Sequence, residues 1–234
     1  MKIAIIADIH ANFAALRAFP EAFDELWVIG DLVNFGARPG EVIEWVRTHA
    51  HCVVRGNHDH AVGYDTDPRC IPAYRAMAAE TGECCSSVLT EDQKQYLQLL
   101  PLTADRTLSG TRFYLCHATP SDPLFGYLEQ ESQIWESEVV STRSDVTVVG
   151  HTHVPFLRTL GKLYLLNLGS LAGLKVTSPQ ASYATWEDGQ FHLKRYSYPF
   201  DETVAAIKAM PISQAVREQL CELITTGDLM VGKD

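Results

Sequence analysis

No stretch of the 234 residues approaches the ~20 consecutive apolar positions that span a bilayer, which argues against a membrane protein. The opening run, Met1-Lys2-Ile3-Ala4-Ile5-Ile6-Ala7, is too short and too soon interrupted by Asp8 for a signal peptide, so a cytoplasmic location is expected. Cys52, Cys70, Cys84, Cys85, Cys116 and Cys221 show no CxxC spacing, so neither a disulfide framework nor a thiolate zinc site is expected. Basic residues are scarce: 19 Lys and Arg stand against 29 Asp and Glu, a net charge of −10 with no Lys/Arg run. That balance argues against extended nucleic acid or an anionic membrane as the main partner, and at first sight disfavours any phosphate-bearing substrate. What remains, 46 % hydrophobic and 21 % charged residues, suits an ordinary globular chain able to bury a sizeable core.

Apolar runs and polar stops alternate through the first sixty residues. Lys2–Ala7 reads as a buried strand ending at Asp8-Ile9-His10, with a helix at Ala14–Ala18 behind it. Leu26–Ile29 stops at Gly30-Asp31, a helix follows over about Gly40–Thr48, and the strand His51–Arg55 stops at Gly56-Asn57-His58-Asp59. Such repetition implies βαβ units and a mostly parallel sheet, whose ligand site lies beyond the carboxyl ends of the strands. A helical insert is expected over about 68–101, with a capping box at Thr90-Glu91-Asp92-Gln93 and a stop at Pro101.

The pattern then turns strand-rich. Thr111–Cys116 ends at His117, Val146–Val149 at Gly150-His151-Thr152-His153, and Lys162–Asn167 at Gly169-Ser170. A hairpin, Ser182–Trp186 and Gln190–Tyr196, turns at Glu187-Asp188-Gly189. A helix over about 213–226 carries Val216, Leu220, Leu223 and Ile224 on one face, with Gly227 as its C-cap. Without internal repeat or linker, residues 1–234 are expected to form one domain.

Asp8, His10, Asp31, Asn57, His58, His117, His151 and His153 therefore gather at strand ends, where unpaired buried charge is heavily penalised unless something binds it. Carboxylate, amide oxygen and neutral imidazole form a donor set for Mn, Fe, Co, Ni or Zn. Setting His58 aside, seven donors exceed what one tetrahedral ion needs, whereas two ions sharing a carboxylate use all of them. His49, His51, His60 and His192 lack such a context and read as ordinary side chains.

At these residues the sequence resembles the calcineurin-like metallophosphoesterases. Their pattern is met by Asp8-Ile9-His10, Gly30-Asp31-Leu32-Val33-Asn34-Phe35-Gly36, Gly56-Asn57-His58-Asp59, His117 and Gly150-His151-Thr152-His153, over residues 1 to about 196. The resemblance implies an α/β fold, a four-layer αββα sandwich of two mixed β-sheets flanked by helices. It also implies two divalent ions, one held by Asp8, His10, Asp31 and His153, the other by Asn57, His117, His151 and the shared Asp31. The implied reaction is hydrolysis of a small phosphoester by a hydroxide bridging the ions, with His58 as general acid. Protein phosphatases and dinucleoside-polyphosphate hydrolases are alternatives within the superfamily. Non-catalytic binding modules on the same fold would show gaps among these residues, and none occurs here.

Two positions depart from the protein phosphatases, whose second motif ends Asp-Arg-Gly. Asn34 replaces the Asp that supports the acid histidine, so it is expected to accept a hydrogen bond and orient a less basic His58. Phe35 replaces a phosphate-gripping Arg, which favours diesters over monoesters, with Arg38, Arg55, Arg69 and Arg158 as candidate substitutes for the grip. Arg55 precedes the GNHD motif, and Thr119 lies in the loop Ala118–Tyr127 expected to wall the pocket. Phe35, Arg55 and Thr119 are thus the candidate substrate contacts. Bulk charge is also the wrong scale for a small anion, since two divalent ions would outweigh Asp8 and Asp31 locally.

Overall fold

The computed structural model describes residues 1–174 and 180–227. In its first third β1 (Lys2–Ile6), α1 (Phe13–Arg17), β2 (Glu25–Ile29), α2 (Pro39–His49), β3 (Cys52–Val54) and α3 (Asn57–Tyr64) alternate. The insert holds a short 3₁₀ turn at Pro72–Tyr74, then α4 (Arg75–Val88) and α5 (Glu91–Leu99). There follow β4 (Thr103–Leu108), β5 (Thr111–Cys116), α6 (Ile134–Ser141), β6 (Val146–Val149), β7 (Phe156–Leu160), β8 (Leu163–Asn167), β9 (Gln180–Glu187) and β10 (Gln190–Ser197). Two helices, α7 (Phe200–Lys208) and α8 (Gln214–Thr226), come last.

The strands form two mixed sheets of five, ordered β10-β9-β1-β2-β3 and β4-β5-β6-β8-β7. β1, β2 and β3 run parallel and β5, β6 and β8 run parallel, so Asp8, Asp31 and Asn57 leave one sheet, and His117 and His151 the other, at carboxyl ends. Strand alternation explains the layering. Ile3 and Ile5 of β1 with Trp27 and Ile29 of β2 face Phe113, Leu115, Val146, Val148 and Leu166 between the sheets. Ala4, Ile6, Leu26 and Val28 point the other way, onto Leu16, Val42, Ile43 and Leu97 of the helices. On the far side of the second sheet, Trp135 and Val139 of α6 pack on Cys116, Val149 and Leu165. The result is the αββα sandwich.

Some elements escaped the sequence pattern. β4 is an edge strand reading Thr-Ala-Asp-Arg-Thr-Leu, three of its residues exposed, so no apolar run marks it. α3 begins at Asn57 itself, so the motif taken as a strand stop is a helix's first turn. α6, β7 and α7 were also unmarked. α8 ends as expected at left-handed Gly227 (φ 78°), and the Ser213 hydroxyl caps its start. Among the described residues no helix is long and apolar enough to cross a membrane.

Candidate active site

The strand ends turn through unfavourable backbone. Asp8 (φ 54°), His10 (47°), Asp31 (55°), His151 (66°) and His153 (62°) all sit in the left-handed region that non-glycine residues avoid. Hydrogen bonds from neighbouring turns hold them there. The amides of Asp8 and His10 donate to the carbonyls of Gly30 and Asp31, and the Asp8 carbonyl accepts from the Ala172 amide and Ser170 hydroxyl. Gly56 permits the closest approach: a Cβ there would stand 2.1 Å from Asp31 Oδ1.

The ligand atoms converge in two groups, Asp8, His10, Asp31 and His153, and Asp31, His117 and His151, each within 4.8 Å. Asp31 belongs to both. Its Oδ1 accepts from the His58 amide (2.9 Å), leaving Oδ2 3.2 Å from His117 Nε2 and 3.8 Å from His10 Nε2. Asn57 joins the second group, its Oδ1 3.0 Å from His117 Nε2, because its Nδ2 donates to the Pro68 carbonyl. All seven candidate donors are thus brought together.

Donor chemistry says what the cluster lacks. His10 Nδ1 lies 3.2 Å from the Val33 carbonyl and His117 Nδ1 2.9 Å from that of Ile29, and a carbonyl can only accept. Both rings therefore carry a proton on Nδ1, which points Nε2 into the cluster as a donor atom. His10 Nε2 is 3.1 Å from His153 Nε2, which also stands 3.2 Å from Asp8 Oδ1, an oxygen that is buried with no hydrogen bond among the described residues. Lone pairs converging on one another in a dry site fit a divalent cation.

The electrostatics agree. Burial pushes His10 down to about 3 and His151 well below its usual value, so both are neutral ligand forms. Burial would also lower His117, but the Asp31 carboxylate overcomes this and holds it up at about 10. Asp8 rises to about 7, chiefly through burial, opposed by His117 and assisted by Asp31. Without metal, then, His117 keeps its proton below about pH 10 and Asp8 keeps its own below about pH 7, and a metal must displace both. Loading is expected to release about two protons per chain at pH 6 and about one at pH 8, read by calorimetry in buffers of different ionisation enthalpy. Release that does not change with pH would contradict this electrostatic picture.

Two positioning residues were missed from sequence. Asp59, the last letter of the GNHD motif, is fully buried and accepts from the amides of Asp31 (2.8 Å), Leu32 (2.8 Å) and Gly56 (3.0 Å), tying two motifs together. Asn167 donates to Gly150 O and Thr152 Oγ1, shaping the turn that presents His151 and His153. A buried acid inside a motif was the available signal for Asp59, whereas Asn167 had none.

Around His58 one expectation is corrected. Asn34 does not accept from the ring: its Nδ2 donates to His58 Nδ1 at 2.8 Å. Two backbone groups decide the amide's orientation. The Phe35 amide donates to Asn34 Oδ1 (3.1 Å), and Asn34 Nδ2 donates to the Ala78 carbonyl (3.2 Å), with the Thr81 hydroxyl also against Oδ1. His58 thus receives at Nδ1 and carries its proton on Nε2. Burial lowers its basicity, with Asp31 opposing and His117 adding to the effect. Its Nε2 is 3.4 Å from Cys70 Sγ.

The cleft over the cluster is lined by Phe35, Tyr74, Phe125 and Tyr127 together with Asp31, Asn57, His58, His151 and His153. Phe35 is therefore a wall, its ring 4.8 Å from that of His58. Arg55 lies elsewhere, donating to Gln98 O (2.7 Å) and Tyr64 OH (3.2 Å). Thr119 is buried, and its hydroxyl pairs with the backbone of Asp122, bracing the loop.

Two sheets packed face to face between helices, with shared carboxylate and imidazole donors at their carboxyl edges, define an αββα protein built around a candidate metal centre. The chain belongs to the calcineurin-like phosphoesterase superfamily, whose domain model matches residues 1–188. It is a metal-dependent phosphoester hydrolase by that membership. It is 27 % identical to an uncharacterized protein of Methanocaldococcus jannaschii over 85 % of this chain and 88 % of the relative. It is 28 % identical to the phosphodiesterase YfcE of Escherichia coli over 78 % of this chain and 85 % of the relative. A metallophosphoesterase from Sphaerobacter thermophilus superposes with a TM-score of 0.79 at 26 % identity, covering 94 % and 98 % of the two chains.

Proposed function

We propose that the chain hydrolyses small phosphoesters, diesters in preference, using two divalent ions that share Asp31. The observation that carries this reading is the double donor set with Asp31 Oδ2 between its halves and His58 Nε2 opening on the same cleft. Asp8, His10, Asp31 and His153 would hold one ion, and Asn57, His117, His151 and Asp31 the other. When bound, such ions supply positive charge for the phosphoryl oxygens and acidify a water. The chain's own residues do the rest. Phe35, Tyr74, Phe125 and Tyr127 keep bulk water from the ester, and His58 presents a proton on Nε2 to the leaving oxygen. Related phosphodiesterase activity in YfcE supports the diester preference.

Because Asn34 donates to His58, the ring is a neutral donor, a weaker acid than an imidazolium. That favours leaving groups needing little protonation, and it lends weight to a second reading, cleavage of a phosphoanhydride in a dinucleoside polyphosphate. The test is elemental analysis of Mn-loaded protein combined with a screen of aryl and alkyl mono- and diesters and of phosphoanhydrides. About two ions per chain and turnover of diesters above monoesters are expected. A firm value of zero ions, or no ester hydrolysed, would end the proposal.

A further inference from the structure

Phe35 offers the cleft wall beside His58 no charge, so a substrate's anionic oxygens need a cationic partner from elsewhere. Of the four arginines singled out from sequence, three are engaged elsewhere. Arg38 pairs with Glu41 (2.8 Å), Arg55 with Gln98 O and Tyr64, and Arg158 with the carbonyls of Gln130 (2.6 Å) and Ser132 (3.0 Å). Arg69 alone lines the cleft with Asp31 and His58. Among the described residues its guanidinium has no hydrogen-bond or ion-pair partner, and it lies over the Phe125 ring, 4.2 Å from the centroid. Its backbone is set in place by its amide N–H, which donates a hydrogen bond to Asp67 Oδ1 (2.7 Å), at a left-handed φ of 58°. Asn57 Nδ2 anchors the same loop through the Pro68 carbonyl, so the arginine is registered against a candidate metal ligand.

A guanidinium stacked on an aromatic face, its N–H edges unpaired, is pre-organised to grip a phosphoryl group bidentately. The surface beside it is aromatic on both sides. Phe125 is backed by His60 (6.2 Å), Tyr127 sits edge-on to His151 (5.8 Å), and Phe35 meets Tyr74 (6.3 Å) across the cleft. We propose that Arg69 is the substrate-phosphate clamp of this enzyme, and that Phe125 and its aromatic neighbours select esters carrying a planar aromatic group, such as an aryl or nucleoside ester. This rests on the phosphoesterase reading and extends it to the identity of the group recognised.

Two non-hydrolysable probes separate the parts. Calorimetric titration of Mn-loaded protein with methylphosphonate and phenylphosphonate reads the anion alone and the anion with a ring. Wild type is expected to bind phenylphosphonate about tenfold more tightly. In Arg69→Gln both affinities should fall together, by about tenfold or more, with the metal content unchanged and part of the loss recovered in Arg69→Lys. In Phe125→Leu the preference for the phenyl compound should shrink. Unchanged affinities in Arg69→Gln, or no phenyl preference in wild type, would overturn the clamp or the aromatic selection respectively while metal binding and ester turnover still stood. Wild-type protein that takes up no metal and cleaves no ester would instead remove the reading beneath it, and this inference with it.

Discussion

Asp31→Asn is expected to empty both metal positions together. One oxygen of this carboxylate is committed to the His58 amide (2.9 Å), and the other faces His117 (3.2 Å) and His10 (3.8 Å). An amide in its place either turns an NH₂ group into the two donor sets or flips and sets that group against the His58 N–H. Loss of the negative charge also removes what holds His117 above its ordinary 6.5. Elemental analysis should show a fall from about two ions to nearly none, with turnover down by about 10³-fold or more and circular dichroism unchanged. Retention of one ion at full occupancy would refute the sharing of Asp31.

His58→Ala should keep its metal and lose activity in proportion to the basicity of the leaving group. General acids contribute about 10²–10⁴-fold where protonation is needed, so alkyl esters should suffer most and p-nitrophenyl esters least. Asn34→Asp is the sharper companion. A carboxylate at this position would accept from Nδ1–H and stabilise an imidazolium, raising the basicity of a ring that burial now depresses. Alkyl esters should then gain relative to aryl esters by about tenfold, and the pH–rate profile should acquire a falling limb, where the imidazolium loses its proton, that the neutral ring of the wild type does not impose. An equal loss for every leaving group in His58→Ala would assign the ring to structure instead of proton donation. An unmoved profile in Asn34→Asp would show that the donated hydrogen bond does not govern it.

Above about pH 6.5, where the lowered His10 and His151 no longer work in the opposite direction, linkage gives the metal-free protein a pH dependence of definite sign. Asp8 is raised from its usual 3.8 to about 7, so its ionisation opposes folding as pH rises through that interval. The raised His117 contributes stability that is fully present below 6.5 and lost towards about 10. Both trends weaken the metal-free fold with rising pH, over the range in which metal competes better against protons, so stabilisation by metal grows with pH.

Much of this was legible along the chain because the βα topology is a local pattern. Apolar runs such as Ile3–Ala7 and Val146–Val149 end abruptly in acids, amides and imidazoles, and a parallel strand delivers whatever follows it to one edge of the sheet. The seven donors and the layered class could therefore be named from spacing and resemblance. Elements without an apolar signature were not: β4 lies at an edge with its polar residues in solvent, and α3 is hidden inside a motif.

Hydrogen-bond direction was beyond reach of the sequence for a different reason. Asn34 can donate or accept, and which it does is decided by the Phe35 amide and by the carbonyl of Ala78, the latter on a helix more than forty residues away. The choice among arginines was of the same kind. Arg55 stands next to the GNHD motif yet turns to Gln98, while Arg69, from an insert with no motif of its own, reaches the cleft and rests on Phe125. The sequence by itself determined which chemistry gathers at the strand ends, because the order of strands and polar stops is covalent. Only the tertiary structure decided how each group is oriented and which cation lines the cleft, because those depend on partners that folding alone brings within a few ångströms.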